Sequence, residues 1–346
     1  MTGPDRSVDI VTAAKALLAT MGVSPKDLAD LGTRPKEMPT FTQYVPKVLK
    51  AASASSREMW AVYLDVAKAE WPTRLIDEPT ASEIMNLSIE VQERSALRPN
   101  SRDGLGARAN FIDAIKFLYR CAVADRLIPQ EDNPARDLRR PAKQKSTRRP
   151  LTTAQLSEIN EVAATTGVDP ALTTLIIRLH IETACRRGGS KALRPCDLDA
   201  KQLTVRLREK GNTVRDQPVS PSLMDALIAH ERYRAPDHDR TAQLLRHRNG
   251  RPIPITYYDQ IWKRIGHILP WVSTLGVTSH WLRYTTLTWV ERNFGYAVAA
   301  AYAGHVQAST RTGNTLTYVS ATIEEVAAAL VALTGEPHPL AANGPQ

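Results

Sequence analysis

The stretch from Arg136 to Arg149 constrains this chain more than any other. Seven of its residues are basic and one, Asp137, is acidic; Pro141 interrupts it and Pro150 follows it. A run so charged and so broken by proline belongs to neither a core helix nor a core strand. It divides 346 residues into two parts, each long enough to build a core of its own. By default a basic run is a solvated face. Between two domains it can instead lie along a phosphate backbone, with Arg139, Arg140, Lys143, Lys145, Arg148 and Arg149 as the contacts. The whole chain has a formal net charge of +9. Such a balance attracts polyanions, of which DNA is the commonest in a cell.

Ahead of this linker the hydrophobic period is helical. Residues 1–36 read as a helical appendage: Val8, Val11, Ala14, Leu17 and Leu18 fall at helical spacing and Gly22 ends the run. Residues 37–138 read as a helical bundle with four amphipathic faces. The first is Phe41, Tyr44, Val45, Val48 and Leu49; the second is Trp60, Tyr63, Leu64 and Ala67. The third follows a capping box, Thr80 with Glu83, and carries Ile84, Leu87 and Val91. The fourth is Phe111, Ile115, Leu118, Tyr119 and Ala122.

Beyond the linker at 139–150 the pattern is mixed. Thr153 is placed to cap a helix with Leu156 and Ile159, and a buried helix is expected from Ala171 to His180. Leu203, Val205 and Leu207 alternate with polar residues, Lys210-Gly211-Asn212 turns the chain, and 214–219 continues extended, which is a hairpin. Helical periods return at 222–230, 257–268, 282–293 and 298–303, and a last amphipathic helix spans 322–333. Its stripe of Ile323, Val326, Leu330 and Leu333 needs a groove, in the same chain or in a neighbour. The fold expected is mainly α with a small β-sheet, a helical domain followed by a second domain at 151–334, and a disordered tail at 335–346 rich in Pro, Gly and Asn.

Several chemistries find no support. The three cysteines, Cys121, Cys185 and Cys196, have no CxxC spacing, so neither a disulfide frame nor a zinc site is expected. There is no GxxxxGK[ST], no HExxH and no GxSxG. The polar start lacks a signal-peptide core, and no apolar run approaches the roughly 18 residues that span a bilayer. These features predict a soluble protein in a reducing compartment.

What remains is a scatter of Arg, Lys, His and Tyr. Thr183-Ala184-Cys185-Arg186 opens it and runs on through Arg187, Gly189 and Leu193 to Asp197. Lys210 follows at the hairpin turn, then His280-Trp281-Leu282-Arg283-Tyr284-Thr285, then Ala303-Gly304-His305, then Thr317-Tyr318. In this order the elements resemble the boxes of the tyrosine recombinases of the phage-integrase type. The resemblance covers 151–334 and extends more weakly to the helical domain, which looks like the family's core-binding domain. It implies two domains that clamp duplex DNA. It also implies cleavage and rejoining of strands through a 3′-phosphotyrosine bond to Tyr318, without metal, ATP or other cofactor.

The roles it implies make physical sense. Arg186 and Arg283 would neutralise the non-bridging oxygens of a phosphorane-like transition state with forked hydrogen bonds. His280 would take the proton of the phenol, whose pKa of about 10 needs lowering or a base. His305 would hydrogen-bond the phosphate, and Lys210 would protonate the leaving 5′ oxygen. Arg208 and Arg215 are weaker alternatives for that acid. The resemblance further implies double-stranded recombination sites as partner, a homotetramer on DNA, an accessory directionality factor, and a cytoplasmic, nucleoid-associated protein of bacterial or phage origin.

Three departures from the pattern matter. The family's carboxylate three residues after the first Arg is replaced by Gly189, which leaves Arg187 as the alternative clamp beside Arg186. Tyr284 stands where a His is common, and the interval from His305 to Tyr318 is long. Tyr302 is the near competitor for the nucleophile and reads as core. The departures keep two other readings open: a DNA-binding relative with weakened catalysis, and a nicking-closing enzyme resembling type IB topoisomerases.

Overall fold

The computed structural model of the chain describes residues 15–22, 37–97, 103–142, 148–209, 213–235, 239–305 and 321–341. The chain divides into two compact units, Met1–Lys145 and Ser146–Gln346, so the division falls inside the basic run. It is mainly helical with one small sheet, as the periodicity predicts.

In the first unit residues 15–20 are helical and Gly22 takes a positive φ of 68°, the helix stop expected there; residues 1–14 and 23–36 lie outside the described residues. Four helices follow: α1 (Phe41–Ala51), α2 (Ala54–Glu70), α3 (Ala81–Ala96) and α4 (Leu105–Ala124). Thr80 and Glu83 form the expected capping box, Glu83 Oε2 accepting from Thr80 N at 2.8 Å. The helices close on one apolar cluster whose centre is the fourth face, Phe111, Ile115, Leu118, Tyr119 and Ala122, all fully buried. Trp60 and Tyr63 of the second face pack at its margin while Leu64 and Ala67 enter it. The buried Tyr119 hydroxyl donates to Ile76 O at 2.8 Å, which removes the penalty of burying a phenol.

The second unit begins with α5 (Thr153–Thr165). Its cap is Thr152, not Thr153: Thr152 Oγ1 accepts from Gln155 N, and Gln155 Oε1 accepts from Thr152 N at 3.1 Å. A capping box needs Glu or Gln three residues on, and Gln155 satisfies that for 152 alone. Next come α6 (Pro170–Thr183), α7 (Arg187–Lys191), a short 3₁₀ turn (Pro195–Asp197), and strands β1 (Leu198–Asp199), β2 (Thr204–Glu209) and β3 (Thr213–Pro218). The sheet is antiparallel in the order β1-β2-β3, and β2 pairs with β3 from Thr204↔Pro218 to Glu209↔Thr213. That register is the expected hairpin. Its inward face is Val205, Leu207 and Glu209 on β2, since alternate residues face the core.

Helices α8 (Pro221–Arg234), α9 (Thr256–Ile268), α10 (Pro270–Leu275) and α11 (Ser279–Tyr302) enclose the main core, α11 being broken at Gly295. The last helix, α12 (Ile323–Thr334), packs on α6, α11 and β3 of its own chain, with Val326, Ala327, Ala329 and Leu330 buried. The groove its stripe requires is therefore in cis. The expectation of disorder fails for residues 335–341. Glu336 pairs with Arg178 at 3.1 Å and accepts from Ser222 N at 3.0 Å, and buried His338 lies 3.0 Å from Leu203 O. A Pro- and Gly-rich composition does not prevent ordering when side chains find fixed partners.

Candidate active site

The end of α6 sets the first element. Ala184 takes φ 48°, a left-handed conformation that stops the helix and turns the chain toward Arg186. Buried polar contacts hold this turn. Thr183 Oγ1 accepts from Cys185 N at 3.2 Å, His180 Nδ1 lies 3.0 Å from Cys185 O, and Ser190 Oγ bridges His180 Nε2 and the Tyr258 hydroxyl at 3.3 and 2.6 Å. Arg186 thus emerges from a strap of fixed geometry at the N-terminus of α7.

A single carboxylate collects the cations. Glu209, its side chain fully buried, accepts from Arg186 N and from Arg186 Nη1 at 2.8 Å. Its Oε2 lies 3.5 Å from Arg215 Nε and its Oε1 lies 4.0 Å from Arg283 Nη1. Arg283, on α11 and 4% exposed, donates to Ala184 O and, at 2.8 Å, to Ala303 O. One guanidinium therefore ties the turn after α6 to the end of α11. Arg215 donates to Thr183 O at 3.0 Å and to Gln217, while its Nε has no hydrogen bond among the described residues. Three guanidiniums face one carboxylate, so the group keeps an excess of positive charge. Burial and the neighbouring Arg186 lower the Arg283 pKa to about 10, and burial lowers that of Arg215.

The end of α11 supplies the second element. Gly304 N donates to Ala301 O at 2.9 Å and His305 N to Ala300 O at 3.0 Å, the two bonds of a Schellman stop. Gly304 takes φ 63°, and a Cβ there would lie 2.5 Å from Arg215 Cδ, so conformation and space both demand glycine. The Ala-Gly-His segment is thereby a helix end that delivers His305 beside Arg283, Arg186 and Arg215, whose charges act on it. Burial and these charges lower the His305 pKa. His280, in the first turn of α11, is lowered first by burial and then by Arg148, Arg283 and Arg186. Both residues are exposed to solvent, and their lowered pKa favours the neutral imidazole.

Of the residues singled out in the sequence, Arg186, His280, Arg283 and His305 come together here. Lys210 and Tyr318 lie outside the described residues, as do Lys143 and Lys145. Arg187 points elsewhere and pairs with Asp259 of α9 at 3.0 Å. Arg208 is held by Asp197 at 2.5 Å. Arg139 is exposed, Arg140 pairs with Asp113, and Arg148 lies within electrostatic reach of His280. Tyr302 is core, as expected: it is fully buried and its hydroxyl donates to Glu182 O. Glu209 was not among the sequence candidates, although the alternation Val205, Leu207, Glu209 signals a carboxylate turned to the core. Among the described residues, no group of three or more His, Cys, Asp or Glu is placed to hold a metal ion, and no helix is long and apolar enough to cross a membrane.

Comparison with solved structures identifies the fold. A lambda integrase tetramer bound to a Holliday junction aligns over 91% of this chain and 92% of its own, with a TM-score of 0.61 at 14% identity. The Tn1549 transposon integrase in complex with a circular intermediate DNA aligns over 86% of this chain and 100% of its own, with a TM-score of 0.62 at 17% identity. The chain has the tyrosine-recombinase fold. The Tn1549 integrase in complex with transposon right end DNA aligns over 85% of this chain and 99% of its own, with a TM-score of 0.61 at 18% identity. No family profile and no curated protein sequence matches. This recombinase fold is therefore reached through the three-dimensional arrangement, at an identity where the sequence boxes alone are sparse.

Proposed function

We propose that the chain is a site-specific DNA recombinase that cleaves and rejoins strands through a 3′-phosphotyrosine bond to Tyr318. The observation that carries this reading is the convergence of Arg186, Arg215 and Arg283 on one buried carboxylate, with His305 and His280 at the margin. An excess of fixed guanidinium charge suits an anion that gains charge in its transition state, because the donors need no rearrangement as the reaction proceeds. A phosphodiester is such an anion.

Arg186 and Arg283 contact the non-bridging oxygens of the scissile phosphate. His280, unprotonated at neutral pH, accepts the phenolic proton of Tyr318 as its oxygen attacks phosphorus. His305 donates a hydrogen bond to a phosphate oxygen. The bond from phosphorus to the 5′ oxygen breaks, and Lys210 gives that oxygen its proton. The phosphotyrosine keeps the energy of the broken bond, so the second strand's 5′ hydroxyl reverses the chemistry without an external energy source.

The two units share the work. The basic run, with Arg139, Arg140, Lys143, Lys145, Arg148 and Arg149, contacts the DNA backbone and supplies a salt-dependent share of affinity. Strand exchange between two duplexes requires four copies, and a tetramer is what the lambda integrase forms on its junction. Because α12 packs in cis, subunit contacts in such a tetramer use other segments. A separate directionality factor is part of the same reading, as is a bacterial or phage origin. The test is a nicked suicide duplex from the native flanking DNA, which traps the cleaved state. A covalent adduct whose linkage maps by peptide sequencing to Tyr318 supports the proposal, and an adduct-free chain on such substrates rejects it.

A further inference from the structure

Position 189 is where the recombinase pattern carries a carboxylate, and this chain has glycine there. A Cβ at Gly189 would lie 2.9 Å from Glu209 Cγ, 3.2 Å from its Oε1 and 3.5 Å from its Cδ. The space that a side chain at 189 would occupy is thus filled by Glu209, which reaches it from the opposite direction, from the end of β2. The glycine is what lets it arrive: Gly189 is buried, and Glu209 is held by hydrogen bonds and cannot swing aside at little cost.

We propose that Glu209 is the positioning carboxylate of this active site, transposed from α7 to strand β2, and that Gly189 is the vacancy that admits it. The proposal deepens the recombinase reading and rests on it. Glu209 takes the backbone N–H and the side chain of Arg186 together, so it fixes both the root and the head of that guanidinium. It touches Arg215 and Arg283 as well, which keeps three like charges in one place before an anion arrives. The transposition has a consequence that a carboxylate on α7 lacks. Glu209 directly precedes Lys210 in the chain, so the same contact that orients Arg186 also anchors the base of the hairpin that bears the proposed acid.

The test is a relocation of the carboxylate. Glu209→Ala slows single-turnover adduct formation about tenfold to a hundredfold. DNA affinity is unchanged or tighter, since a negative charge has gone; a role limited to folding would weaken both. Glu209→Gln, which preserves volume, gives the same direction should the alanine variant fail to fold. Gly189→Glu in the Glu209→Ala background returns most of the lost rate. Gly189→Ala slows the unsubstituted chain by crowding Glu209 and has no effect once residue 209 is alanine. Cleavage by Glu209→Ala and Glu209→Gln within about twofold of the unsubstituted chain overturns the proposal. So does a folded double variant without rescue. An unsubstituted chain that makes no adduct rejects the recombinase reading alone. Glu209 is then judged on the guanidinium Nη–H resonances of Arg186 and Arg283 in ¹⁵N spectra. Slow-exchanging signals that vanish in Glu209→Ala and return in the double variant support it; signals indifferent to Glu209→Ala refute it.

Discussion

The two units bury different things. In the first, the fully buried residues are almost all apolar, and Ser88 is the buried polar side chain among those described. Its ion pairs, such as Arg74 with Glu83 and Lys47 with Asp125, stay at the surface. In the second, Asp169, Glu182, Asp197, Glu209, Arg246 and Arg283 are all buried. Apolar burial stabilises a fold with little risk. Charge burial costs several kcal/mol per ion before pairing and is a poor route to stability. The second unit therefore buries charge that stability alone does not call for, and at Glu209 three arginines meet one carboxylate. Histidine shows the same division: all eight lie beyond residue 150.

If this contrast marks chemistry, substitutions in the second unit must separate cleavage from folding, and those in the first must not. The largest effect is expected of Tyr318→Phe. It abolishes the covalent adduct and leaves DNA affinity within about twofold, read by gel shift and by denaturing gels; a surviving adduct removes Tyr318 from its role. Lys210→Ala comes next, slowing cleavage by about 10²–10⁴ with no change in thermal midpoint. A substrate with sulfur at the 5′ bridging position restores the rate, since a thiolate leaves without a proton.

Arg283→Ala lowers cleavage by about 10²–10³ and, unlike Lys210→Ala, lowers stability too. It leaves Ala184 O and Ala303 O without their donor, so calorimetry and single-turnover kinetics should both move.

Acid should act on the second unit alone. His280 has a lowered pKa, so its protonation should slow cleavage about tenfold per pH unit at a midpoint below the ordinary value of about 6.5. Stability follows the same sign. His230, His280, His305 and His338 have lowered pKa values in the folded chain, His230 to about 4. The unfolded chain binds the extra protons as pH falls below about 6.5, so stability contributed by these groups declines there. His180, raised by its contacts with Cys185, opposes them as one against four. Exchange-protected amides of the first unit should be unmoved over that window. The smallest effect on chemistry is expected of Phe111→Ala. It costs about 3–5 kcal/mol in denaturant unfolding, yet leaves the cleavage rate of folded protein within about twofold.

Much of this was readable before the structure. The four apolar faces of the first unit became its core because helical periodicity is a local property and burial follows it. The pairing of β2 with β3 followed from the alternation of Val205 and Leu207 and the extended run to Val219, and Ala303-Gly304-His305 proved to be a helix stop whose geometry demands glycine. Where the reading failed for the tail, the deciding partners were far away in sequence. Residues 335–341 are ordered because Arg178, Ser222 and Leu203 receive them. Thr152 caps α5 through a glutamine that composition alone does not rank above its neighbours.

The order of residue types, the helical and two-residue periods and the basic divide were determined by the sequence alone, because each depends on residues close together in the chain. Which arginine faces the site was decided in space: Arg186 meets Glu209 across 23 positions while its neighbour Arg187 turns to Asp259. Electrostatics acts on distance, and only folding converts separation along the chain into distance. That is why the alternation of Val205, Leu207 and Glu209 marks a carboxylate turned inward, while its place against Gly189 was decided only by the fold.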